Sequence, residues 1–280
     1  MRVGVIRQNQ SVIPGFGITF GLTVTALSLV VLIPLAALAF KAAGVGPAEF
    51  WRIATHPRTL AALRLSFGAA FLAAAVNAIF GLLVAWVLVR YRFPGKRILD
   101  AAIDLPIALP TAVAGIALAV IYAPNGWVGG ALAALGIKIG YTPVAVVLAL
   151  IFVGLPFVVR TVQPVLAESE KEIEEAAALL GASRLRTVFT VVLPLVSPAL
   201  LTGFALAFAR GIGEYGSVIF VAGNLPFVSE IAPLLIVIRL EEFDYGGASV
   251  IASVMLALSF TLLMLISALQ ARNRRRLGYV

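Results

Sequence analysis

Six long apolar stretches decide what this chain can become. They run over about residues 18–40, 63–89, 98–122, 142–165, 194–222 and 249–269, and each reaches the length of roughly 20 residues at which a helix crosses a hydrocarbon layer of about 30 Å. Backbone polar groups in that layer have no water to bond, so the spans must be helices. The chain therefore reads as an all-α integral membrane protein. Only 12% of its residues are charged, about half the share of an ordinary soluble domain, and the polar segments are too short to fold separately. One membrane domain over 18–270 is expected, flanked by an N-terminal segment 1–17 and a basic tail 271–280.

Charge asymmetry orients the spans. With an inside N-terminus, fourteen Lys and Arg fall on the inner side, including Arg2, Arg7, the group around Pro94, Arg184, Arg186 and the tail, against six outside. Both termini are therefore expected on the cytoplasmic side. The same asymmetry accounts for the net charge of +8, and no nucleic acid is needed to explain it. There is no cysteine and one histidine, His56, so thiol chemistry, disulfides and the usual zinc or iron sites lack their ligands. The first span is longer than a signal-peptide core and reads as retained, although Ala37 and Ala39 leave cleavage open.

Several residues inside the spans are unusual for hydrocarbon. Asn77 reads as an interhelical hydrogen bonder or a group lining a solute route. Asp100 and Asp104 suit the N-terminus of the third span; Pro106 and Pro110 kink it or wall a cavity. Residues 41–59 read as a loop with Trp51 at the lipid boundary, 124–141 as an outer loop with a short helix, and Pro156 and Pro164 bend the inner end of span four. Gly203, Ala207 and Gly211 form a small-residue seam, for a subunit contact or for any tight bundle. Arg210 and Glu214 lie four apart in span five, on one face, as a structural ion pair or as the lining of a translocation path. The match of 211–216 to G-x-G-x-x-G is spurious within an apolar segment. Residues 231–240 are too short to span and read as a re-entrant or interfacial helix broken by Pro233.

The one long polar stretch is 167–190. Ile173, Ala176, Ala177 and Leu180 fall on one helix face, with Glu168, Glu172 and Glu175 on another. Gly181 suits a left-handed C-terminal cap, and Ser183 can cap a second helix carrying Arg184 and Arg186. The expected form is helix, sharp turn, helix. Read in order, Glu175-Ala176-Ala177, Gly181, Val191 and Leu193-Pro194 have the spacing of the "EAA" loop, and the chain resembles ABC-importer permeases.

Most of the chain, from about Pro14 to Gln270, is similar to one branch of these permeases, the CysT (CysU) subunits of sulfate/thiosulfate ABC importers. The resemblance is carried by 90–95 (Arg-Tyr-Arg-Phe-Pro-Gly), by 104–115, by 156–164 and by 239–245. It implies a six-transmembrane-helix type I ABC importer permease fold. It implies a coupling loop in which Glu172, Glu175, Ala176, Ala177, Gly181, Ser183 and Arg184 meet CysA-like ABC ATPase subunits. It further implies a CysW-like second permease, or a second copy of this chain, and an external sulfate-binding protein. No phosphate-binding loop exists in the sequence, so no cofactor is expected in this chain; ATP would be bound by the partner, and the chain itself would not be an enzyme. Asn77, Arg210 and Glu214 are its translocation-path candidates. Competing readings are a molybdate/tungstate permease, an intramembrane enzyme and an ATP-independent channel.

Overall fold

The computed structural model describes residues 15–169 and 171–276, which form helices and turns with no strand among them. Arg2, Arg7, Pro14 and the last four residues of the tail lie outside the described residues. Among the described residues, six helical stretches are long and apolar enough to cross a membrane.

Helix α1, Phe16–Ala43, is the first. Pro34 has no N–H to give, and the turn before it, Ser28–Leu32, widens to π geometry, so the helix continues past the ring. Residues 41–59, expected as a loop, contain helix α2, Pro47–Ala54; Gly46 turns the chain at φ 88° and Pro47 opens the helix. Trp51 stays exposed. Helix α3, Pro57–Arg90, has 34 residues and is about 51 Å long. His56 caps it, its Nδ1 accepting from the Arg58 N–H at 3.3 Å.

The stretch read as one span over 98–122 is in pieces: α4 Lys96–Ile103, α5 Leu105–Ala108 and α6 Thr111–Tyr122. Leu109 is extended, with ψ 139°, as a residue ahead of proline prefers. Pro106 opens α5 rather than kinking a longer helix. Helix α7, Trp127–Ala134, packs closely on the end of α6, where a Cβ on Gly129 would lie 2.0 Å from the Ala123 carbonyl oxygen. The third crossing, Thr111–Ala134, is thus made of two helices.

Helix α8, Pro143–Glu168, carries Pro156 and Pro164 in its interior. Helix α9, Lys171–Leu179, and α10, Arg184–Ile212, follow. Span five stops at Ile212 rather than 222: Gly213 caps it, and α11, Val218–Val221, is separate. Pro233 stands in the first turn of α12, Ala232–Glu241, so it starts that helix instead of breaking it. Helix α13, Tyr245–Arg276, is the last of the described elements.

The core is the mutual crossing of α3, α8 and α10, and small residues set its closeness. A Cβ on Gly81 would come within 2.7 Å of Val158 Cγ1, and one on Gly203 within 2.8 Å of Val158 Cα. Gly211 faces Ala70 of α3, and Ala207 is buried. The seam of Gly203, Ala207 and Gly211 is therefore used inside the chain, as a tight bundle requires, and is not free for a subunit contact.

Candidate functional site

The hairpin of α9 and α10 closes through a Schellman turn. The Ala182 N–H donates to Ala177 O and the Gly181 N–H to Ala178 O, both at 3.0 Å, with Gly181 at φ 81°. Ser183 Oγ accepts from the Arg186 N–H at 3.4 Å, which caps α10. Glu168 belongs to the end of α8, with Ser169 between it and α9, so it does not share a face with Glu172 and Glu175. Glu172, Glu175 and Ala176 are exposed, Ala177 is half-buried, and Ser183 and Arg184 are exposed. Ile173 and Leu180, on the expected apolar face, are also exposed; Leu179 and Leu180 each show 89% of their surface. Among the described residues, nothing covers the tip of this hairpin.

Its base is fixed by residues that the sequence did not single out. Arg90, the last residue of α3, donates from Nε (3.0 Å) and Nη2 (2.6 Å) to Glu174 Oε1, and from Nη2 to Ser169 Oγ at 2.6 Å. Its side chain is 8% exposed. One guanidinium therefore joins the inner end of span two to the junction of α8 and α9. Arg90 entered the sequence reading only as a topology charge, because the contact spans 84 positions.

A second cluster lies nearby. Arg160 of α8 donates to both carboxylate oxygens of Asp104 (2.8 and 2.6 Å), to Asp100 Oδ1 (2.8 Å) and to Gln163 Oε1 (2.7 Å). Asp100 lies in the second half of α4 and Asp104 is its C-cap, so their partner is Arg160 and not a helix N-terminus. The Arg160 hydrogen bond, reinforced by its charge, holds the Asp104 carboxyl below its ordinary value despite partial desolvation.

At membrane depth, Arg210 occupies the last turn of α10 and Glu214 lies just beyond its end. Their ion pair forms nonetheless, at 2.5 Å, with the Glu214 side chain 1% exposed and that of Arg210 34%. Glu214 Oε1 also accepts from the Ser217 N–H (2.9 Å) and Oγ (2.8 Å), closing the turn into α11. The glycines here have a packing role. A Cβ on Gly216 would meet Thr111 Oγ1 at 2.2 Å, and Ser217 O would lie 2.4 Å from a Cβ on Gly115. Arg210 also lines a cavity of about 110 Å³ with Pro106, Leu109, Thr111 and Phe157, at the break in the third span. Asn77 is fully buried and neither amide atom has a hydrogen-bond partner; its Nδ2 rests against Gly154. The interhelical hydrogen bond expected of it does not form, and it does not join the Arg210 cluster.

Residues 77–278 match the family described as "Binding-protein-dependent transport system inner membrane component". The chain is 51% identical over 259 residues to a protein of Nephroselmis olivacea named probable sulfate transport system permease protein cysT, covering 92% of this chain and 91% of that one. It is 49% identical over 268 residues to the sulfate transport system permease protein CysT of Salmonella typhimurium, covering 96% and 97%. Among solved structures, a bacterial ABC transporter for import of the acidic polysaccharide alginate aligns with TM-score 0.74 over 92% of this chain and 96% of the other, at 13% identity, a likeness of fold alone.

Proposed function

Because the chain belongs to the binding-protein-dependent transport family of inner-membrane components, we propose that it is the multi-pass plasma-membrane permease subunit of an ABC importer that carries sulfate into the cell. It is a transport component rather than an enzyme. Near-full-length identity of about half to sulfate permeases favours sulfate over molybdate or tungstate, and thiosulfate is included on the family resemblance.

The observation that carries the mechanism is the uncovered hairpin tip, Leu179 to Ser183, on a base anchored by Arg90. Two leucines exposed in water beside glutamates fit a cleft in a soluble protein, and the family resemblance gives that protein as a CysA-like ATPase. ATP binding and hydrolysis in that partner would push on α9. Arg90 and the start of α10 would carry the displacement into spans two and five. A CysW-like permease, or a second copy, would form the other half of the pathway, and a sulfate-binding protein would deliver the anion from outside. Arg210 is the pathway residue best supported by geometry, since its exposed part faces a cavity at the discontinuity of span three. Asn77 and Glu214 are buried and hold shape rather than meet solute.

The test is ATP-dependent uptake of labelled sulfate by vesicles containing this chain and its partners, with excess thiosulfate or molybdate as competitor. Sulfate uptake that thiosulfate suppresses and molybdate leaves intact is expected. Uptake of molybdate indifferent to sulfate would overturn the substrate assignment, and uptake without ATP would overturn the importer assignment.

A further inference from the structure

A cavity of about 560 Å³ lies between the inner end of α3, the hairpin and the start of α10. Its composition is graded. Leu82, Leu83, Val188 and Val192 make an apolar wall, while Tyr91, Glu174 and Arg184 lie at the other end with Trp86 on the α3 side. Such a gradient, with aromatics that have both an apolar body and a polar tip, is that of a membrane–water boundary. Charge distribution places this boundary on the cytoplasmic side, where Arg92, Lys96, Arg97 and Arg186 also gather.

The electrostatics of the lining are not balanced. Glu174 is neutralised by Arg90. Arg184 is exposed and has no ion pair among the described residues, so the groove carries one uncompensated positive charge beside an apolar trough. Water alone leaves that trough unfavourably wet, and a purely apolar occupant leaves the guanidinium unpaired. A molecule with one anionic oxygen-rich end and a hydrocarbon body satisfies both.

We propose that this groove binds one anionic phospholipid of the cytoplasmic leaflet. The phosphate sits on Arg184 in charge-assisted hydrogen bonds, and an acyl chain lies along Leu83, Val188 and Val192. The site is built half from span two and half from the hairpin, so its occupant bridges the same two parts that Arg90 joins. It does not depend on which anion the importer carries.

The assembled complex, purified from nanodiscs of phosphatidylcholine and phosphatidylglycerol, is examined by native mass spectrometry. The expected result is one retained phosphatidylglycerol per copy of this chain. It is lost in Arg184→Ala, kept in Arg184→Lys, and lost again in Leu83→Trp, which fills the trough without touching charge. Equal retention of phosphatidylglycerol in the parent and in both disrupting variants would overturn the proposal, as would equal retention of phosphatidylcholine. The chain has no cysteine, so Leu83→Cys offers a single thiol. Short-range cross-linking from it to a neighbouring subunit would show the groove to be a protein interface and would likewise overturn the lipid assignment.

Discussion

Arg90 and Glu174 are 84 positions apart in sequence, and their ion pair at 2.6 Å is the direct clasp between the second span and the hairpin of α9 and α10. Removing one partner of a well-buried pair costs about 3–5 kcal/mol, and less here because the Glu174 side chain keeps 23% of its exposure. Arg90→Ala is expected to lower ATP-driven sulfate uptake by about tenfold or more, about 1.4 kcal/mol of coupling. Glu174→Gln should do so less severely, since an amide still accepts from the guanidinium. A double variant no worse than Arg90→Ala in the uptake assay would identify the pair as one unit.

Gly181 occupies left-handed backbone at φ 81°, and no atom lies within 4 Å of where its Cβ would be. Substitution there is resisted by conformation and not by crowding, at about 1–2 kcal/mol for an ordinary L residue. Gly181→Val, through backbone strain, and Gly181→Asp, which adds a carboxylate at the negative end of α9, should leave the protein inserted and assembled while uncoupling ATP hydrolysis from uptake. Gly181→Asn, which tolerates this conformation better, should keep most of both. The ratio of ATP hydrolysed to sulfate moved reads the difference.

For the membrane-embedded pair, the two residues should separate into different phenotypes. Glu214 has two Ser217 bonds besides Arg210, so Glu214→Ala is expected to lower thermal stability and yield. Arg210→Ala should leave the complex assembled with uptake reduced by about tenfold, a barrier increase of about 1.4 kcal/mol. Loss of stability equal to that of Glu214→Ala would assign Arg210 a structural part alone.

Asp104 gives a pH dependence. Its carboxyl is held below the ordinary value by Arg160, so its stabilising contribution is complete above the unfolded-state value of about 3.9 and disappears as pH falls through the lower folded value. Comparing thermal unfolding of the parent with Asp104→Asn should show a gap at pH 6 that persists to about pH 4 and closes only in stronger acid.

Much of the fold was legible because hydrocarbon imposes so strict a length and composition. The hairpin was legible too: the periodicity of 173–180, Gly181 and Ser183 are all local signals, and a turn that closes over six residues needs no others. What could not be read are the contacts that cross the chain. Arg90 with Glu174, and Arg160 with Asp100 and Asp104, join positions 56 to 84 apart, and no single sequence pairs them. Proline was the other weak point. Whether Pro106 and Pro233 open a helix or break one depends on the preceding residues, and Leu109 before Pro110 shows the chain choosing the extended form. Asn77 was expected to find a partner, and the close approach of Gly154 fills that space instead.

The second arm of the hairpin has no joint before the membrane interior. From Arg184 to Ile212 the chain is continuous helix, with one loosened turn at Val188–Val192 and Pro198 in its interior, so Arg210 sits near the far end of a rod whose near end adjoins the exposed bend at Gly181. Over that distance, about 39 Å, a small tilt at the cytoplasmic surface becomes a displacement of several ångströms at the guanidinium. The rod needs no relay of intermediate contacts to carry it, and the loosened turn is the place where that leverage would be lost.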